Sequence, residues 1–372
     1  MERPHLDQPL ATRPRWWATT ALALVLAVMV VGCGLDQDRY RWERALLVAD
    51  RHVDHEEFDE AEASYLELQK TSPTPSFERY IAYRLALIVE LRGQYADAIR
   101  AYEPMWKDGA DDEYGSLALF RTAILLMDKL DRPDEGLKVL DRILSALPDS
   151  TAAKKALFEL LGHYERNNDK AGALAFVVER YKLLASTPIG DNLLFARARL
   201  ARELGRSDEA LEAYAALLED HPASGLRDDA EWELAGLLEE LGRYDDALTR
   251  LRFITEDQDV SWYVGSYDSQ YVDEARFQRG LIYLERLGQW REAVEEFTLF
   301  VDEFDESLLR DDARWNIVQA WLGAGESDDA EDACEALASA QPESRWVDDC
   351  ERLVAALHGG ADPRSLRTKA AD

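Results

Sequence analysis

Histidine and cysteine are scarce in this chain of 372 residues, with six of the first and three of the second. No two histidines stand four apart around a glutamate, and no Cys/His spacing closes a zinc site. Glycine-rich phosphate loops, nucleophile elbows and calcium loops are absent as well. The acidic stretch Asp108-Gly-Ala-Asp-Asp-Glu113 lacks calcium-loop spacing and reads as a solvated loop. His52, Asp54, His55 and Glu56 sit close together, but His52 falls on a core position of the repeat described below, so a structural role is expected. Carboxylates are so numerous that no acid–base pair stands out. The chain is therefore read as no enzyme, with no cofactor and no metal.

Basic charge is also in short supply. Lysine and arginine number 43 against 74 acidic residues, a formal net charge of −31. Such a surface repels phosphate backbones and anionic headgroups, which excludes nucleic acid as a partner. It serves solubility, or it meets a basic partner. Disorder is excluded by the opposite measure, since 47% of residues are hydrophobic and 10% aromatic.

Long apolar runs are limited to one, Trp16 to Val31, preceded by Arg3, Arg13 and Arg15 and closed by Val30-Val31-Gly32-Cys33. Its length and flanks suit a signal peptide better than a membrane span. The last four residues resemble the lipobox of bacterial lipoproteins, which implies that Cys33 becomes the lipid-bearing first residue of the mature protein. Residues 1–32 hold three arginines against Glu2 and Asp7, so the mature chain would carry −32. In that family an Asp after the cysteine favours retention at the inner membrane. Gly34 stands there instead, which points to the periplasmic face of the outer membrane.

The body of the chain is periodic. Gly205-Arg-Ser-Asp-Glu-Ala210, Gly242-Arg-Tyr-Asp-Asp-Ala247, Gly288-Gln-Trp-Arg-Glu-Ala293 and Gly325-Glu-Ser-Asp-Asp-Ala330 are copies of one motif, and Ala61, Ala98, Gly136 and Ala173 continue it upstream. The eight anchors follow at intervals of 37, 38, 37, 37, 37, 46 and 37 residues, a period that signals a solenoid. Before each anchor the apolar residues recur at helical spacing, as at Ala230, Leu234, Leu237, Leu238 and Leu241. Five residues before the anchors stand Gly93, Asp131, Asn168, Gly205, Gly242, Gly288 and Gly325, all types that accept the left-handed turn closing a helix; only Glu56 departs. Four residues after them come Tyr65, Tyr102, Leu140, Val177, Tyr214, Leu251, Phe297 and Cys334, and twelve after come Pro73, Pro148, Pro222 and Pro342.

These small, bulky and proline positions resemble the tetratricopeptide repeat. The resemblance implies an all-α, right-handed superhelical solenoid of about eight helical hairpins, whose concave face, lined by the first helix of each repeat, receives a protein partner. A second recurrence, Ser224-Gly-Leu-Arg-Asp-Asp-Ala-Glu-Trp232 and Ser307-Leu-Leu-Arg-Asp-Asp-Ala-Arg-Trp315, is similar to repeats of Gram-negative envelope proteins, notably the Tol-Pal-associated periplasmic protein and the lipoprotein of the barrel-assembly machinery.

The expected organisation is a signal peptide over 1–32, a tether over 33–40, repeats over 41–342, a capping helix over 343–358 and a disordered tail over 359–372. Cys334 and Cys350 are candidates for a disulfide or for two buried thiols. The interval of 46 places nine extra residues between Ala247 and Ala293, with Trp262, Tyr263, Tyr267 and Tyr271 as candidate partner contacts unless they fold back on the scaffold. The expected function is an envelope scaffold for protein partners. Alternatives are outer-membrane protein assembly or a pilotin role, and binding of a ligand or cell-wall glycan by the aromatic insertion. Replacing Cys33 by alanine should release the protein from membranes; a Cys33→Ala protein that still sediments with them would remove the lipoprotein reading.

Overall fold

Every regular element is a helix in the computed structural model, which describes residues 39–72, 74–107, 112–256 and 271–368. After α1 (39–54) come α2 (Phe58–Gln69), α3 (Pro75–Leu91), α4 (Tyr95–Lys107), α5 (Glu113–Ile124), α6 (Pro133–Ala146) and α7 (Thr151–Arg166). The sequence of helices continues with α8 (Lys170–Leu184), α9 (Gly190–Glu203), α10 (Ser207–Asp220), α11 (Arg227–Glu240) and α12 (Tyr244–Glu256). It ends with α13 (Val272–Leu281), α14 (Trp290–Glu303), α15 (Arg310–Ala324), α16 (Ser327–Ala340), α17 (Val347–His358) and the short α18 (Pro363–Leu366). α1 with α2, α3 with α4, α5 with α6, α9 with α10, α11 with α12, α13 with α14 and α15 with α16 form antiparallel hairpins, and α17 caps the last of them.

Each hairpin reverses at one residue. Glu56, Gly93, Asp131, Asn168, Gly205, Gly242, Gly288 and Gly325 all have φ between 53° and 85°. Glu56, the one residue whose type argued against this, adopts φ 61° like the rest. The turn is thus a requirement of the hairpin that overrides the preference of the side chain. Helix starts are set locally: Thr74, Asp112 and Asp169 accept the exposed N–H of Phe77, Gly115 and Gly172. Pro148, Pro222 and Pro342 follow the ends of α6, α10 and α16 within two residues. Pro73 lies outside the described residues.

The anchors do the packing expected of them. Ala61, Ala98, Ala210, Ala247, Ala293 and Ala330 are completely buried, as are Tyr65, Tyr102, Leu140, Val177, Tyr214 and Phe297 from the bulky set. Gly136 shows why size matters: a Cβ there would stand 2.3 Å from Met127 Cγ and 2.7 Å from the Ala123 carbonyl oxygen.

The chain divides into two compact units, Met1–Gly162 and His163–Asp372. In the first, Trp42, Ala49, Tyr65, Ile81 and Ile88 form one core cluster and Ala86, Tyr102, Met105, Ala118 and Leu125 another. In the second, a cluster running from Leu174 to Ile282 leads to those around Phe297 and around Val318 and Leu337.

The long interval between Ala247 and Ala293 has two parts. In the second unit the residue before each first helix stands 16 residues before the left-handed turn, as Leu226 is to Gly242 and Leu309 is to Gly325, whereas Tyr271 is 17 before Gly288. That single extra residue is absorbed in α13, which widens to a π-helical turn over Ile282–Leu287. The other eight precede Tyr271.

The polar tail expected to be disordered from Gly359 is, through Thr368, folded against its own repeats. Gly360 turns the chain at φ 81°, Asp362 Oδ1 accepts the Arg364 N–H at 3.2 Å to start α18, and Leu366 packs on the last core cluster. Half-buried Leu366 and the ion pair of Arg367 with Glu285 offset the polarity of the segment.

A glutamate in the left-handed region costs more than a glycine would. Glu56→Gly should therefore raise the global stability by about 1 kcal/mol. A lowered thermal midpoint would show instead that the Glu56 side chain contributes more than its backbone costs.

Candidate protein-interaction surface

Stacked hairpins leave the polar residues of the first helices beside one another. In the first unit these residues, together with Tyr65 and Tyr102 of the second helices α2 and α4, form a cluster of tyrosine and arginine. Asp50 of α1 accepts a hydrogen bond from Tyr65 and another from Tyr80 at 2.6 Å. Arg84 donates to Tyr65 Oη at 2.9 Å, pairs with Asp50 at 3.1 Å and lies over the rings of Tyr65 and Tyr80. Tyr114 meets Tyr80 edge-on at 5.6 Å and Tyr83 at 6.1 Å. Buried Glu90 accepts from Tyr102 at 3.0 Å and from Arg121 Nε at 3.0 Å.

Burial raises the Tyr80 and Tyr65 hydroxyls above the usual phenol range, and their bonds to Asp50 reinforce the shift. They remain protonated donors. A shallow groove of about 450 Å³ adjoins the cluster, lined by Pro75, Ser76, Arg79, Asp112, Glu113 and Tyr114, with Arg79 paired to Asp112. Half-buried rings beside guanidinium groups make rigid amphipathic contacts of the kind that anchor a peptide.

The first helices of the second unit are cross-linked by charge. Arg202 of α9 reaches Glu233 and Glu240 of α11 at 2.5 Å each, and Gln278 of α13 donates to Glu239 of α11 at 2.6 Å. Deeper down, Arg279 binds Glu296 at 2.5 Å and donates to Thr255 Oγ1 at 2.7 Å, while Arg276 pairs with Glu303 at 3.1 Å. Burial raises the Glu296 carboxyl, and Arg279 and Arg276 pull it back. These arginines already have carboxylate partners, so a clamp for a partner's terminal carboxylate is not built here.

The second sequence recurrence proves to be an inter-repeat clasp. Ser224, Ser307 and Ser344 donate to Asp191, Asp273 and Asp311 of the preceding first helix at 2.6, 3.1 and 3.0 Å. Each serine also accepts the N–H two residues on, from Leu226, Leu309 and Trp346. A ring then completes the joint. Trp346 stacks on Trp315 at 4.9 Å and 4°, with its indole N–H on Asp312 at 2.7 Å. Tyr271 does the same on Trp232 at 5.3 Å and 5°, its hydroxyl donating to Asp229 at 2.7 Å. The third copy, Ser344-Arg-Trp-Val-Asp-Asp-Cys350, was the signal in the sequence.

Tyr271, a candidate partner contact, is thereby corrected to a joint between repeats: the stacking and the hydrogen bond commit its ring to the scaffold. Trp262, Tyr263 and Tyr267 lie outside the described residues, as does Cys33. Cys334 and Cys350 are both buried free thiols rather than a disulfide, close enough to hydrogen bond, and that bond together with burial raises the Cys334 thiol. His52 is half-buried and its Nδ1 lies 2.5 Å from Glu57 Oε2. Among the described residues no group of three or more His, Cys, Asp or Glu is placed to hold a metal, and no helix is long and apolar enough to cross a membrane.

The family model described as tetratricopeptide repeat matches residues 46–112, 195–251 and 274–345, together just over half of the chain. No curated protein matches the sequence. Among solved structures, YrrB, described as a TPR protein with an unusual peptide-binding site, is 16% identical; the match covers 58% of this chain and 99% of that one, with a TM-score of 0.40. A tetratricopeptide repeat protein from Parabacteroides merdae is 15% identical over 74% of this chain and 97% of that one, at a TM-score of 0.33. MamA is 16% identical over 51% and 92%, at 0.37. Likenesses at these scores say nothing of ligand or partner.

One buried charge gives a test of the packing. Glu231 of α11 is 4% exposed, and its nearest cation is Arg250 at 3.6 Å. Burial raises its carboxyl, with Arg250 and Arg227 opposing and Asp228 adding. The folded state therefore holds this proton more tightly than the unfolded one, so stability is lost as pH rises through the folded pKa and regained as it falls. Glu231→Gln should raise the unfolding free energy at pH 8 by on the order of 1 kcal/mol, seen as a higher thermal midpoint, and the gain should shrink at pH 5. A variant less stable than the parent at pH 8 would mean that the Arg250 pair outweighs desolvation.

Proposed function

The chain belongs to the tetratricopeptide repeat family, and on that premise we propose that it is a non-enzymatic scaffold, tethered by lipid at Cys33 to the periplasmic face of a bacterial outer membrane, that holds another protein on its first-helix faces. Repeats of this family mediate contacts between proteins. The observation that carries the reading is the Tyr80, Tyr83, Arg84 and Tyr114 cluster: half-buried rings and a guanidinium brought together from neighbouring repeats.

The envelope address rests on the basic start, the apolar run to Val31 and the Val-Val-Gly-Cys sequence, with Gly34 in place of an acid. A net charge of −31 suits a partner with a basic surface. With Tyr271 engaged in the scaffold, the glycan-binding alternative loses one of its four rings.

A photo-crosslinking amino acid at position 83, installed in the native host, should trap a discrete protein. The same group at Arg100, exposed on the second helix α4, should trap none. Equal capture from both positions, or no product from position 83, would defeat the first-helix face as the holding surface. Loss of many outer-membrane barrels on depletion would redirect the role toward barrel assembly.

A further inference from the structure

Solenoids of this kind end with a capping helix, but this chain continues past it. Gly360, at φ 81°, stands to Ser365 as Gly325 stands to Ala330, so the backbone turns as though to begin a ninth second helix. That helix is abandoned after four residues. Arg367 is extended, at φ −64° and ψ 128°, and the chain crosses back over the first helices of the seventh and eighth repeats, α13 and α15.

The contacts it makes there are those by which a protein reads an extended peptide. Arg367 pairs with the carboxylate of Glu285 at 2.7 Å, donates to the Leu284 carbonyl oxygen at 3.3 Å and lays its guanidinium 4.7 Å from the centre of the Trp290 ring. An acid, a carbonyl and an aromatic face together form a slot for one arginine. Next to it the Thr368 backbone N–H donates to Gln319 Oε1 at 2.7 Å, and its hydroxyl does so at 3.2 Å. Leu366 fills the apolar position on the other side, against the cluster of Trp315, Val318 and Leu322.

Gln319 is only half used. It is 2% exposed, yet its Nε2 has no acceptor. An amide in this position can take a backbone N–H on its oxygen and give its own N–H to a backbone carbonyl, and leaving that donor buried and unpaired costs free energy. The chain's own segment satisfies the first half of that grip and not the second.

We propose that this face of α13 and α15 is a binding site for an arginine-bearing, extended segment of a partner protein, and that residues 366–368 occupy it as an internal placeholder. The inference rests on the reading of the first helices as the holding surface. The incoming arginine takes the Glu285, Leu284 and Trp290 slot, and the segment's backbone takes both arms of Gln319. An acidic chain with 74 carboxylates against 43 bases favours such a ligand. Because the placeholder is covalently tethered, it competes at an effective concentration of roughly millimolar, and a partner segment must exceed it in affinity or in number of contacts.

The test uses the full chain and a labelled synthetic peptide with the sequence of residues 362–372. Arg367→Glu in the protein sets like charge against Glu285 and vacates the slot; Leu366→Asp vacates it by removing the apolar seat. Fluorescence anisotropy should show either variant binding the peptide at least about tenfold more tightly than the unaltered chain, the equivalent of one ion pair or apolar seat. A peptide with alanine in place of its second arginine should not bind, and Glu285→Gln combined with Arg367→Glu should lose the gain. Equal binding by altered and unaltered chains overturns the proposal, as does no binding by either variant up to about 1 mM, the tethered concentration, provided circular dichroism shows both folded. Should the peptide fail while position 83 still captures a partner, this inference alone falls. Should both fail, the holding-surface reading falls with it.

Discussion

Two antiparallel helices lie close together only where a side chain is small enough to let their backbones approach, and every hairpin in this chain depends on that one concession. The concession is made at a single position per repeat, by seven alanines and Gly136, and the space it opens is filled by the bulky residue one helical turn further on. Gly136 marks the limit: even a methyl group would run into Met127 and the Ala123 carbonyl oxygen. A left-handed residue must then reverse the chain in a fixed number of steps, because the anchor has to arrive opposite its partner helix. Glu56 adopts that conformation against its own preference for the same reason.

Given this constraint, the second layer of organisation concerns how one hairpin meets the next. Serine–aspartate bonds and stacked rings fix the spacing between first helices in the second unit, and charge pairs run alongside them. Where the chain carries nine surplus residues, Tyr271 restores the joint by taking the ring position that Trp346 holds elsewhere, and α13 takes up the last surplus residue by widening. The first unit spends its polar residues differently, on a tyrosine–arginine cluster that leaves rings half exposed. That difference separates a face whose rings stay half exposed from one whose rings are used up in joints.

Anchors, turns and bulky partners were legible in the sequence because they are local and recur at a constant interval. The clasp was legible in two of its three copies; in the third, tryptophan replaces leucine and valine replaces arginine, so the likeness is confined to a serine and two aspartates. Tyr271 was visible as an aromatic residue, but its stacking partner lies in the preceding repeat. Least legible was the seat of residues 366–368, whose partners stand 49 and 83 residues away and include a backbone carbonyl that no sequence pattern advertises. A short polar ending looked like a tail because nothing local in it argued otherwise.

The clasps have a further bearing on how the second unit comes apart. Each joins a repeat only to its neighbour, so loss of order spreads stepwise from an open end, as in any one-dimensional stack. In the last hairpins the returning segment joins α13 and α15 by a bond that skips along the stack rather than following it. Separating α13 from α15 must break this staple as well as the clasp between them. Whatever vacates the staple therefore also loosens the end of the array, so occupancy of the face and rigidity of the final repeats are bound to change together.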